Sequence, residues 1–122
     1  MATQLERYEA RHRTLAAQLA SLGFICPGSL IERETSCGKP GCRCMGDPPR
    51  RHGPYFQWSR AVAGKTLTRR LSADEAELYR EWVGNWREMK RIIDEMEEVS
   101  AAAGEILLRQ AARNRPSKPS AT

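Results

Sequence analysis

Apolar residues recur at spacings of three and four through Leu5, Tyr8, His12, Leu15, Leu19 and Leu22. That is the period of a helix holding one narrow stripe against a neighbour. Gly23 ends the pattern and Pro27-Gly28 prevents its resumption. Ser29 to Thr35 then reads as a short strand with Leu30 and Ile31 at its apolar centre. Residues 55–62 and 65–71 alternate on either side of Ala63-Gly64, which predicts a β-hairpin with a two-residue turn. Such a turn pairs Val62 with Lys65, Arg60 with Leu67 and Trp58 with Arg69. Phe56, Trp58, Val62, Leu67 and Leu71 then share one face with Arg60, Lys65 and Arg69, a face with large apolar groups to bury against a helix. Tyr55, Gln57, Ser59, Thr66, Thr68 and Arg70 share the other, where hydrogen-bonding side chains have little reason to be buried.

Ser72 is a good N-cap and Glu75 completes a capping box, with Asp74 in the first turn. The helix they open is predicted over residues 73–109, roughly 55 Å at about 1.5 Å per residue. Trp82, Trp86, Met89, Ile93, Met96, Ser100, Ala103 and Leu107 keep a heptad seam along it, and Gly84 and Gly104 are places where it bends or ends. The N-terminal helix is its natural antiparallel partner but covers about half of it, so Ile93 to Leu107 calls for another surface, with a second copy as the economical choice. His12, on the N-terminal seam, reads as a half-buried or interface histidine, since no second ligand lies near it in sequence. The expected organisation is an amphipathic helix at 1–23, a cysteine-bearing and hairpin unit at 26–71, a heptad helix at 72–112 and a Pro/Ser/Lys-rich disordered tail at 113–122. The fold class is α+β: a zinc-knuckle and small antiparallel sheet of two to three strands between a short and a long helix.

A chain of 122 residues makes one small domain with an appended helix, and its core is modest. The first twenty residues carry Glu6, Arg7, Glu9, Arg11 and Arg13, which argues against a signal peptide, and no apolar run is long enough to span a bilayer. A cytoplasmic setting is expected, where thiols stay reduced and clustered cysteines more often bind metal than form disulfides.

The chemistry concentrates in Cys37-Gly-Lys-Pro-Gly-Cys42-Arg-Cys44 and His52. The Gly-Lys-Pro-Gly turn folds two thiolates toward one point, and a bend at Arg43 brings in the third. Three thiolates and an imidazole make a closed tetrahedral set for structural Zn2+. Cys26 is the alternative fourth ligand in place of His52, or a small buried residue. A redox pair, Cys42 with Cys44, is a weaker reading that leaves the other two groups unused. Four ligands leave no open catalytic position, no carboxylate follows at helical spacing, and there is no phosphate loop or recognisable triad, so no enzyme is expected.

Net charge is +5 with a pI near 9.3, which favours polyanionic partners. Residues 37–71 hold Lys39, Arg43, Arg50, Arg51, Arg60, Lys65, Arg69 and Arg70 against the single acid Asp47, a net of +7. With zinc and three thiolates the window keeps roughly +6, while Asp94, Glu95, Glu97 and Glu98 load the long helix with acid. This is the footprint of a phosphate-backbone binder. A two-stranded ribbon enters the DNA major groove, where Gln57 and Arg70 are residue types that contact adenine and guanine edges, Ser59, Thr66 and Thr68 serve bases or phosphates, and Tyr55 stacks or bonds a phosphate. Lys39, Arg43, Arg50, Arg51, Arg60, Lys65 and Arg69 are the expected phosphate contacts.

Gly28-Ser-Leu-Ile-Glu-Arg, the 37–44 motif, His52-Gly-Pro-Tyr-Phe-Gln-Trp58 and Gly64-Lys-Thr-Leu-Thr-Arg-Arg-Leu71 resemble a family of small bacterial proteins catalogued as a domain of unknown function. The resemblance covers roughly residues 28–98 and implies a knuckle, a hairpin and a long helix in a mobile-element setting. The order of hairpin and helix also resembles the sheet-plus-helix pattern of integrase arm-binding domains, which read DNA with the sheet. The expected function is a non-enzymatic, zinc-stabilised DNA-binding accessory or regulatory protein. RNA stays open because charge is blind to the sugar. The competing expectation is an adaptor that docks through its long helix onto a larger nucleic-acid enzyme.

Overall fold

A computed structural model describes residues 1–35, 39–46 and 52–115, and of Thr35, Met45 and His52 the backbone alone. Cys37, Arg50, Arg51, the His52 side chain and the end of the tail, all singled out in the sequence, lie outside the described residues. In chain order the elements are helix α1 (Gln4–Ala20), strand β1 (Ser29–Thr35), a 3-10 turn (Arg43–Met45), strands β2 (His52–Val62) and β3 (Lys65–Leu71), and helix α2 (Ala73–Arg113). This is the α+β arrangement expected, an N-terminal helix, a three-stranded antiparallel sheet in the order β1-β2-β3 and a long C-terminal helix. No described helix is long and apolar enough to cross a membrane.

Both helices begin where a side chain satisfies their free N–H groups. At α1 the Thr3 hydroxyl accepts from the Glu6 N–H at 3.1 Å while Thr3 N–H donates back to the Glu6 carboxylate. At α2 the Glu75 N–H donates to Ser72 Oγ at 3.1 Å and the Ser72 N–H to Glu75 Oε1 at 3.0 Å, the reciprocal box read from sequence.

The chain divides into two units, residues 1–22 with 89–122, and residues 23–88. The first is helical. Leu15 of α1 and Ile92 of α2 are 0% and 1% exposed, and Arg11 Nη2 meets Glu95 Oε2 at 2.7 Å. Tyr8, Glu9, His12 and Arg13 line one crevice with Val99, Ser100 and Ala103, so α1 runs antiparallel to this part of α2. His12 is exposed rather than half-buried.

In the second unit the hairpin has the expected register, Val62 with Lys65, Arg60 with Leu67 and Trp58 with Arg69. Ala63 (φ 50°) and Gly64 (φ 78°) are both left-handed, the signature of a type I′ turn whose twist matches the strands. The first part of α2 lies on the face that carries Phe56, Trp58 and Leu71. Trp58 meets Tyr79 at 5.5 Å between ring centroids and Tyr79 meets Trp82 at 5.2 Å. Each such tilted pair contributes about 0.5–1.5 kcal/mol beyond its burial.

Two expectations about burial need correction. Val62 and Leu67 are 38% and 50% exposed; they stand next to the turn, beyond the ring contacts that cover Trp58. Along α2 the most deeply buried residues are Ala76, Val83 and Ile92, not the Trp82, Trp86 and Ile93 of the expected seam, which are half-buried. A tryptophan is too large to be enclosed completely by so small a core, and Ile93 is turned from the side of α2 that Ile92 buries by about 100° of helix rotation.

Candidate nucleic-acid interface

Three hydrogen bonds fix the chain as it enters β1. Asn85 Nδ2 donates to the Phe24 carbonyl at 2.9 Å and the Cys26 N–H to the Trp82 carbonyl at 3.0 Å, tying the incoming chain to α2. Trp58 Nε1–H donates to the Pro27 carbonyl at 3.0 Å. Gly28 (φ +130°) passes so close that a Cβ there would lie 2.4 Å from Trp58 Nε1. The strand pairs antiparallel with β2: Ser29 opposite Ser59, Ile31 opposite Gln57, Arg33 opposite Tyr55.

Combining the two registers gives the sheet face turned away from α2. Successive cross-strand rows are Arg33–Tyr55, Ile31–Gln57–Arg70, Ser29–Ser59–Thr68 and Ala61–Thr66. None of these ten residues is a carboxylate, since Glu32 pairs with Phe56 on the helix side. The Arg70 guanidinium carbon lies 3.6 Å from the centroid of the Tyr55 ring, a cation–π stack that orients the fork. Arg33, Tyr55, Gln57 and Arg70 line a shallow depression of about 230 Å³. Arg33, Thr68 and Arg70 are exposed, and Tyr55 and Gln57 half-buried.

The residues singled out in the sequence therefore do not converge on one surface. Tyr55, Gln57, Thr68 and Arg70 stand together on the outer face. Arg60, Lys65 and Arg69 lie on the helix-side face, where Arg69 Nη1 also donates to Tyr79 Oη at 3.4 Å. Lys39 and Arg43 are exposed in the segment between β1 and β2. Arg33 and Ile31 were missed. Alternation within β1 shows that they share a face, but pairing with β2 decides which face it is.

Of the proposed zinc ligands, Cys42 and Cys44 are described. The Cys42 N–H donates to the Lys39 carbonyl at 3.3 Å and Gly41 has φ +79°. With Pro40 at the second position this is a type II turn, in which glycine supplies the left-handed third residue. Cys42 then caps the 3-10 turn, and Cys44 within it is 1% exposed. Cys26 Sγ donates to the Pro27 carbonyl at 3.6 Å. Among the described residues no three of His, Cys, Asp and Glu gather as a metal-holding group, so Cys26, Cys42 and Cys44 do not form one.

A family model described as Domain of unknown function (DUF6788) matches residues 5–80. No curated protein and no solved structure matches the chain.

Proposed function

We propose that this chain, which belongs to the family of that domain of unknown function, is a non-enzymatic DNA-binding accessory or regulatory protein that lays the outer face of its sheet on the nucleic acid. The observation that carries this reading is the in-register, carboxylate-free face of Arg33, Tyr55, Gln57, Thr68 and Arg70. Cationic and hydrogen-bonding groups on a rigid sheet supply both phosphate contacts and base-edge contacts. Lys39, Arg43, Arg50 and Arg51 add positive charge from the segment that joins β1 to β2. Cys37, Cys42, Cys44 and His52 hold a structural Zn2+, which fits a donor set of three thiols and an imidazole and the turn that precedes Cys42. The ion supplies a cross-link that fixes this segment and takes no part in a reaction. The resemblance over residues 28–98 supports a bacterial, mobile-element setting, and clustered cysteines read as metal ligands support a reducing, cytoplasmic one.

The adaptor reading keeps one observation in its favour. Leu107 and Leu108 of α2 are 49% and 66% exposed, a surface suited to a second copy of the chain or to a larger protein. Duplex binding measured over a series of salt concentrations separates the two readings. A sheet that neutralises about six phosphates gives a log–log slope near roughly −5, and Arg33→Ala with Arg70→Ala flattens it. Absence of binding to duplex DNA at low salt would favour the adaptor.

A further inference from the structure

We infer that Ile31, Gln57 and Arg70 form a base-reading row for double-stranded DNA, selecting a site in which a thymine methyl, an adenine and a guanine are presented together in the major groove. The inference rests on the DNA-binding reading and deepens it.

The three residues occupy one cross-sheet row, Ile31 opposite Gln57 and Gln57 opposite Arg70. Strands lie about 4.8 Å apart, so the row is about 10 Å long. That is the rise of three base-pair steps of about 3.4 Å, so the outer two residues reach bases at the ends of a four-base-pair stretch. Each position carries a different readout chemistry. Ile31 is an apolar side chain, 45% exposed, on a face otherwise polar or small, and an apolar group is what the thymine methyl accepts. The Gln57 amide matches the adenine N6/N7 edge and the Arg70 fork matches guanine O6/N7.

Arg70 is also held in place. Its guanidinium stacks on Tyr55, the one aromatic among the ten paired residues of this face, at 3.6 Å. A guanidinium fixed by its flat side keeps its N–H edge available for a bidentate contact. The same stack covers the ring that unpaired bases would need as a platform. Duplex DNA rather than single strands is therefore the ligand, and the row is its specificity determinant.

The test is selection of bound duplexes from a random-sequence pool by the full-length protein, followed by measurements on the enriched site. The expected site contains thymine, adenine and guanine within three or four base pairs. Replacing its thymine by deoxyuridine removes the methyl alone and weakens wild-type binding several-fold, but leaves Ile31→Ser binding unchanged. Replacing its guanine by 7-deazaguanine weakens wild-type binding about ten-fold and has no further effect on Arg70→Ala. If the pool yields no preferred sequence, or both base analogues bind as well as the parent while Arg70→Ala still weakens binding, the face contacts phosphates only; the row is then wrong and the DNA-binding reading survives. Tighter binding of single strands than of duplex overturns the row as well. No binding to any nucleic acid overturns both.

Discussion

Gly28 shows how much rests on a missing side chain. Its φ of +130° is one that residues with a Cβ rarely adopt, and a Cβ would fall 2.4 Å from Trp58 Nε1 and 2.6 Å from the Ser59 carbonyl. Gly28→Ala is expected to destabilise the protein by about 2–3 kcal/mol or more, with the Trp58–Pro27 hydrogen bond lost. Gly84 is the control: it lies inside α2 with nothing within 4 Å of its Cβ position, and Gly84→Ala should stabilise by about 0.5–1 kcal/mol. Urea unfolding of the two variants checks both signs. Glu75 carries a pH dependence at the same scale. The Ser72 N–H bond, then the Ser72 side chain, and the nearby Arg69 charge hold its carboxyl below the ordinary glutamate range, against a small opposing effect of burial. A carboxyl depressed in the folded state adds stability that is present above its unfolded pKa, about 4.3, and is lost as pH falls through the lower folded value. Side-chain NMR titration should place Glu75 below the ordinary glutamate value, and Glu75→Gln should lose less stability than wild type on acidification.

At the scale of elements, α2 follows its two neighbours in turn. The cap at Ser72 fixes its start, and its burial then follows Ala76, Val83 and Ile92. Ile92→Ala is expected to cost about 2–4 kcal/mol through the cavity it leaves, and Ile93→Ala distinctly less, because Ile93 is only half-buried. Equal losses in thermal unfolding would return the seam to the position read from the heptad. The hairpin was fully legible in outline: alternation gave the faces, and Ala63-Gly64 gave the turn and thereby every cross-strand pair. The neighbour of β2 on its other side was not legible, because a run of seven residues around Leu30 and Ile31 does not say which strand it pairs with.

At the scale of the whole molecule, the prediction concerns the Zn2+ proposed for the segment between β1 and β2. A Zn2+ that ties Cys37, Cys42, Cys44 and His52 couples its binding to the order of the chain between β1 and β2. Purified protein should contain zinc by elemental analysis. Cys42→Ser or a strong chelator should speed hydrogen exchange in β1 and β2 and lower DNA affinity, while Leu15 and Ile92 keep α1 and the second half of α2 protected. Zinc-free protein whose β2 exchanges as slowly as before would remove the metal from this account.

The chain by itself determined the kinds of element, their order, the capping box at Ser72 and the register across Ala63-Gly64, because each depends on residues close in sequence: a period, a cap or a turn. Tertiary structure alone decided that β1 joins the hairpin, and that Ile31 and Arg33 therefore stand beside Tyr55, Gln57 and Arg70. It also decided which side of α2 is enclosed. Those outcomes depend on contacts between segments far apart in the chain, where close packing and backbone fit, as at Gly28 against Trp58, select one pairing among several that local pattern allows equally.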